Sequence, residues 1–242
     1  MLKRTLVIGL IAMLLAMAPL SLTAQAQEVA MPVKASVEAK SMEIVEAAII
    51  SVNDSVITVA EEGKTIDLLV RGFWHMITNN FVNKTTWAKA KDYIEEGNAT
   101  IITASISREG ETLNLLLGLK QGDVVLIKPI LLKLWTKRHI HTNRYLSVRG
   151  QITHKGDSYL VIERNGSKAL AVVGGKWVKA GVGNVTWGEV ADEFKVGDTV
   201  RLFCHNVLVM NQEFAEVFEI NAFIWGYSGA IIDLTSGTAL SR

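Results

Sequence analysis

A long internal repeat limits the folds open to this chain more than any single motif does. Residues 45–74 (VEAAIISVNDSVITVAEEGKTIDLLVRGFW) align without a gap with residues 148–177 (VRGQITHKGDSYLVIERNGSKALAVVGGKW), 103 positions further on. Identical pairs are Val45/Val148, Ile49/Ile152, Asp54/Asp157, Ser55/Ser158, Gly63/Gly166, Val70/Val173, Gly72/Gly175 and Trp74/Trp177. A three-residue deletion then resets the register, and Thr86/Thr186, Trp87/Trp187, Asp92/Asp192 and Gly97/Gly197 pair at an offset of 100. Self-similarity at this period predicts two copies of one domain. The chain has one cysteine, Cys204. No internal disulfide can form, so each copy must be held by its own apolar core, which about 90 residues suffice to build. Cys204 alternates with Val200 and Leu202 in an expected strand, the pattern of a buried, inert thiol.

Within each copy, β-branched runs alternate with polar turns. IVEAAIISV, VITVAEE and TIDLLV in the first copy, and VRGQITH, YLVIER and KALAVV in the second, read as three strands joined by hairpins, with Asn165-Gly166 the clearest turn. Thr186 and Glu189 form a capping box, Val190 and Phe194 share a helical face, and Gly197 supplies a stop, which predicts one short helix. Residues 198–210 and 213–223 read as fourth and fifth strands, matched by 98–107 and 112–119 in the first copy. Trp74 and Trp177 fall near the end of the third strand, and Trp87 and Trp187 directly after the capping threonine. Their repetition predicts core roles, with stacking on a ligand the alternative reading for Trp74 and Trp177.

Three strands, a helix and two strands is the element order of the OB-fold, a five-stranded Greek-key barrel. The expected fold class is mainly β: two tandem five-stranded OB-like barrels, each with one short helix between strands three and four. The turn KVGDTVRLF at residues 195–203, with the Trp-containing segment ahead of it, resembles the corresponding part of single-stranded nucleic-acid-binding OB domains of the replication protein A and SSB kind. The resemblance implies a barrel that binds a single strand. The expected organisation is a leader over 1–26, an N-terminal segment 27–42, a first barrel over 43–123, a basic connecting segment 124–145, a second barrel over 146–225 and a tail over 226–242.

The chain opens on MLKR, followed by an apolar run from Leu6 to Leu22 broken at Pro19, and then by Ala24-Gln25-Ala26. This is the layout of a secretory signal peptide cut after Ala26; an uncleaved anchor is the rival, since a span needs roughly 20 apolar residues. The expected location is outside the cytoplasm: extracellular, cell-surface or periplasmic, with no membrane span in the mature chain. Sequons at Asn53, Asn83, Asn98, Asn165 and Asn184 are glycosylation candidates. Asn, Ser and Thr also crowd into turns for backbone reasons.

Charge is distributed unevenly. Residues 124–155 hold no acid, yet carry Lys128, Lys133, Lys137, Arg138, Arg144, Arg149 and Lys155 with His139, His141, His154, Trp135 and Tyr145. Cations interleaved with aromatics neutralise phosphates and offer stacking faces, the combination used for single strands. Lys133, Trp135, Lys137, Arg138, His139, His141 and Arg144 are therefore candidate ligand residues, for single-stranded nucleic acid or an acidic glycan. The same composition suits a docking or solvated linker, with 124–134 packed on the first barrel and lysines snorkelling outward. Strand alternation adds Arg201, Phe203 and His205, which should project together if Val200, Leu202 and Cys204 face the core. The aligned row of the first copy, Ile101, Thr103 and Ser105, lacks that chemistry. His139-x-His141 is a spacing found in metal sites, but no third ligand can be named.

No nucleophile triad, phosphate-binding loop or Cys-x-x-Cys pattern stands out, and no cofactor or catalytic residue is expected. Two functions follow as expectations. One is an exported, non-enzymatic tandem OB-fold binding protein for single-stranded nucleic acid or another polyanion. The other is a structural or assembly component of the cell envelope, whose partner is an envelope protein met through exposed strand edges.

Overall fold

The structure is a computed structural model that describes residues 38–108, 111–224 and 228–242. The leader over 1–26, and 27–37 of the segment after it, lie outside the described residues. The first repeat contains β1 (Glu38–Val52), β2 (Val56–Glu61), β3 (Lys64–Leu69), β4 (Phe73–Ile77), β5 (Val82–Thr86), helix α1 (Trp87–Ala90), β6 (Gly97–Arg108), β7 (Glu111–Gln121) and β8 (Val124–Ile127). Helix α2 (Pro129–Trp135) follows. The second repeat contains β9 (Thr136–Lys155), β10 (Tyr159–Arg164), β11 (Ser167–Val172), β12 (Lys176–Lys179), β13 (Gly183–Thr186), helix α3 (Trp187–Val190), β14 (Thr199–Met210), helix α4 (Gln212–Phe218), β15 (Ala222–Ile224), β16 (Ser228–Asp233) and β17 (Ala239–Ser241). Among the described residues no helix is long and apolar enough to cross a membrane.

Both copies close into five-stranded barrels with the OB connectivity. In the first, β1 pairs with β2 and β6, β2 with β3, and β6 with β7; β3 meets β7 in parallel at Leu69 and Leu115. In the second, β9 pairs with β10 and β14, β10 with β11, and β14 with β15; β11 runs parallel to β15, with Leu170 opposite Phe223. The parallel contact joins third and fifth strands, which is what turns an open meander into a barrel. Several repeat identities now have a structural reason. Ser55 and Ser158 each present their carbonyl to the backbone N–H of the repeat-equivalent Val70 (3.1 Å) and Val173 (2.8 Å), fastening the turn after the first strand to the end of the third.

Packing divides the described chain into two compact units, one extending to Arg71 and including Glu95–Leu119, the other made of Gly72–Ile94 and Lys120–Arg242. The first unit is the first barrel, with Ile57, Val59, Leu68, Ile101 and Leu116 at its core. The second holds the second barrel, whose core gathers Ile152, Leu160, Ile162, Phe194, Val200, Leu202 and Ile231, together with β4, β5, β8, α1 and α2. The β4–β5 turn docks on the β9–β10 turn: Tyr159 donates its hydroxyl to the Thr78 carbonyl (2.8 Å), and Val82 donates its N–H to Ser158 Oγ (3.1 Å).

Several elements differ from expectation. Trp74 and Trp177 lie beyond the third strand, on β4 and β12, because the chain bends at Gly72 and Gly175, whose φ of 100° and 103° suits glycine alone. Each then forms a hairpin, β4–β5 or β12–β13, ahead of the helix. Residues 213–223 are not one strand. Asn211 caps α4 by accepting from the Phe214 N–H (2.9 Å), and Phe214 and Phe218, one turn apart, bury the same helix face. Only Ala222–Ile224 remains as the fifth strand. Residues 124–145, read as a connector, are β8, α2 and the first half of β9, and the tail from 226 contains β16 and β17. The capping box at Thr186 and Glu189 forms as predicted, with Thr186 Oγ1 donating to Glu189 at 2.8 Å.

Candidate functional site

The outer face of the β9–β14 pair gathers most of the residues that the sequence singled out. Alternation works as expected: Val200, Leu202 and Cys204 are buried, while Arg201 is exposed and Phe203 and His205 are half-buried. Burial pushes the Cys204 thiol above its ordinary range, so it stays protonated and inert. Across the ladder, Arg149 stands directly opposite Arg201 and Ser147 opposite Phe203. Arg201 donates from Nε to Ser147 Oγ (2.7 Å), and its guanidinium lies 4.9 Å from the Phe203 ring centre.

Beyond Phe203 the register shifts, because β9 bulges over residues 142–145 while β14 passes only His205. The bulge carries Arg144 and Tyr145 out to solvent, and Tyr145 is 55% exposed. Its ring lies against that of His205, with centres 4.0 Å apart and planes tilted by 35°. His205 donates from Nδ1 to the Thr142 carbonyl (3.1 Å), which fixes the imidazole under the phenol. Beneath Tyr145 runs the backbone of Gly229: a Cβ there would sit 1.9 Å from Tyr145 Cε1, so a residue without a side chain is what leaves room for the ring. The bulge and this glycine are not signalled by strand periodicity, and the stack is missed in sequence.

Past the bulge, His141 faces Asn206 and His139 faces Leu208. His139 donates from Nε2 to Asn206 Oδ1 (2.6 Å). The two imidazoles lie 6.3 Å apart on one face, and no group of three or more His, Cys, Asp or Glu able to hold a metal occurs among the described residues. Lys133, Lys137 and Arg138 are exposed nearby in sequence. No ion pair joins Lys133, Lys137, Arg138, Arg144, Arg149 or Arg201 to a carboxylate among the described residues. Trp135 departs from the expected role. It is 2% exposed and packs edge-on against Phe214 at 5.9 Å, so it holds α2 against α4 and offers no face to a ligand.

The matching face of the first barrel has the opposite character. Val45 pairs with Ile101 as Val148 pairs with Leu202, so the fourth strands correspond at an offset of 101, one residue from the alignment at Gly97/Gly197. The counterpart of Arg149 opposite Arg201 is therefore Glu46 opposite Thr100, joined by a 2.6 Å hydrogen bond from the threonine. Ile101 is buried, so Ile101, Thr103 and Ser105 do not form one exposed row.

Trp74, Trp177, Trp87 and Trp187 are all 2% exposed or less, which leaves them core roles. What the sequence did not reveal is a cation over the first pair. Lys128 Nζ lies 4.3 Å from the Trp74 ring centre, and the Arg242 guanidinium 4.1 Å from that of Trp177. Register makes the two equivalent: His75 opposes Ile127 as Val178 opposes Ser241, so Lys128 corresponds to Arg242 at an offset of 114. Burial brings the Lys128 ammonium down to about 8.

A cleft of about 490 Å³ opens at the far end of the same face, lined by His75 from β4, Pro129, Leu132 and Lys133 from α2, Thr136 and His139 from β9, and Leu208 from β14. Burial, reinforced by the charge of Lys84, holds His75 below the ordinary imidazole range and therefore neutral at physiological pH. The five sequon asparagines are all exposed, and none lies on β9 or β14. No protein-family model matches the chain, and no curated protein or solved structure is significantly similar to it.

Proposed function

We propose that the protein is an exported, non-enzymatic binding protein whose second barrel holds a polyanion, either single-stranded nucleic acid or an acidic glycan, on the outer face of β9 and β14. The observation that carries this reading is Arg149 directly opposite Arg201, with no carboxylate paired to either among the described residues, beside an exposed aromatic stack. Like charges directly across a ladder destabilise a sheet, so such a pair is retained most readily where an anion comes to rest between the two. Exposed Lys137 and Arg144 add positive charge along β9, and Tyr145 against His205 adds an aromatic surface on which an unpaired base or a sugar ring can lie. The export part rests on the leader sequence, and it directs the search to ligands outside the cytoplasm. None of the sequon asparagines belongs to β9 or β14.

The test is fluorescence anisotropy of a labelled single-stranded oligonucleotide, and of a labelled sulfated polysaccharide, titrated with the chain from Gln27 at low and physiological salt. Binding whose logarithm falls linearly with log salt, by about 0.7 for each phosphate neutralised on a single strand, is the expected result. No binding of either polyanion at low salt refutes the reading.

A further inference from the structure

We infer that the cleft between β4, α2, β9 and β14 receives one base of a single-stranded nucleic acid, so that the polyanion of the preceding section is a nucleic acid read through its bases as well as its phosphates. The inference rests on that reading. Four observations carry it, starting with size and lining. About 490 Å³ lies within the roughly 300–1,000 Å³ of sites that enclose a small organic ligand. Leu132, Leu208 and Pro129 supply the apolar wall that a base plane requires, while His75, His139 and Thr136 bring polar atoms suited to its edge.

The second observation is electrostatic. His75 is neutral at physiological pH and so presents a hydrogen-bonding imidazole where a phosphate would call for a charge. The cation, Lys133, lies on the same lining and is exposed, positioned for the phosphate that accompanies the base. Third, the cleft borders the cationic strand: exposed Lys137 directly follows Thr136, one of its lining residues. Fourth, Leu208 is three residues from His205 on β14. At about 3.3 Å per residue that is roughly 10 Å, the length of about three stacked nucleotides. A strand running along the pair can therefore place one base on Tyr145 and another in the cleft. An acidic glycan has the charge for the arginines but no flat apolar group for Leu132 and Leu208, and a nucleic acid has both.

The experiment compares a short oligothymidylate with an abasic strand of the same phosphate count, using the chain from Gln27 and two variants. Leu208→Trp fills the cleft. His139→Ala, at an exposed position, removes one polar wall without touching the core. Wild type should bind the oligothymidylate about tenfold or more tightly than the abasic strand, since a base stacked on an aromatic side chain alone contributes about 5- to 150-fold. Each variant should lower that ratio by about fivefold or more, at the scale of one lost base contact. A ratio near one for wild type, with salt-dependent binding of both strands, overturns the cleft while leaving the polyanion reading in place. A wild-type preference that neither variant changes assigns it to Tyr145 alone and also overturns the cleft. Failure of both strands to bind at low salt removes the polyanion reading itself.

Discussion

Gly229→Ala isolates the aromatic stack from the rest of the face. The added Cβ would lie 1.9 Å from Tyr145 Cε1, 2.5 Å from Cζ and 2.6 Å from the hydroxyl oxygen. Carbon atoms settle at about 3.5–4.0 Å, so the ring has to retreat by roughly 1.5–2 Å. Nothing in the core opposes that movement, because the colliding atoms are the far end of a side chain already 55% exposed. The Gly229 backbone is in a conformation that alanine adopts, so the change in stability should stay within about 0.5 kcal/mol. The retreat does lift Tyr145 off His205, whose ring centre is 4.0 Å away. If one base lies against that pair, affinity for an oligothymidylate falls by some fraction of the ~1–3 kcal/mol that a stacked base contributes, so about 2- to 50-fold, and Tyr145→Ala loses at least as much. Anisotropy titrations paired with urea denaturation separate the two quantities. A variant that unfolds at the wild-type midpoint yet binds with unchanged Kd would show that nothing stacks on Tyr145, and the aromatic half of the proposed site would fall.

The basic row makes a different demand. Replacing Lys137, Arg138 and Arg144 together by alanine should reduce the slope of log K against log salt by about 2, at roughly 0.7 per lost phosphate contact, and an unchanged slope would remove them from the interface. Trp135→Ala should cost about 3–5 kcal/mol of stability in urea denaturation through the cavity it leaves beside Phe214; a stable variant that merely binds less well would return Trp135 to the ligand face. Lys128 gives a pH prediction. Its folded value of about 8 lies below the 10.5 of the unfolded chain, so the unfolded state binds more protons between the two. Stability should rise over that window. The drop from 10.5 to about 8 corresponds to ~3.4 kcal/mol. Partial exposure of the ammonium reduces this to about 1–2 kcal/mol. Lys128→Met should abolish the rise. Above pH 10 the trend reverses, because burial and the Asp123 charge push Tyr159 up to about 12, and its stabilising hydroxyl is lost as pH climbs through that value. Denaturation midpoints that stay flat from pH 8 to 10 would contradict the burial assigned to Lys128.

Strand-level features were legible because they are written in local periods. Alternation placed Val200, Leu202 and Cys204 inside and Arg201 outside, and Thr186 with Glu189 announced the helix start. Illegible features depend on partners distant in sequence. Residues 213–223 satisfy alternation as well as helical spacing, and Asn211 decides for α4 by capping it, a choice reinforced when Phe214 finds Trp135 and Phe223. Trp135 sits among cations in the sequence and so looks like a stacking platform; the turn of α2 between Pro129 and Thr136 points it inward instead. The Tyr145–His205 stack required a bulge on one strand, a single residue on the other, and a glycine more than 80 positions away in a third.

Comparing the two copies separates scaffold from site without reference to any other protein. Features that both retain form the frame: the bend at Gly72 or Gly175, the buried tryptophan after it, the strand that returns beside it, and the cation that covers its ring. Lys128 and Arg242 fill that last role with different chemistry and little surrounding identity, so what the copies share is the cation–aromatic contact itself. The β1–β6 and β9–β14 faces share geometry but not charge. Where the second barrel sets Arg149 across from Arg201, the first sets Glu46 across from Thr100 and satisfies the carboxylate locally. A polyanion drawn to the second face, as proposed, would meet the carboxylate of Glu46 on the first, so the proposed site falls on one barrel alone. Reversing the sign tests this division directly. Glu46→Arg on the first face should add weak, salt-sensitive affinity at most, since no counterpart of Tyr145 over His205 stands beside it, whereas Arg149→Glu should lower affinity by tenfold or more by placing a repulsive charge at the centre of the second, at about 1.4 kcal/mol per decade. If Arg149→Glu binds like wild type, the pair opposite Arg201 is not where the anion rests.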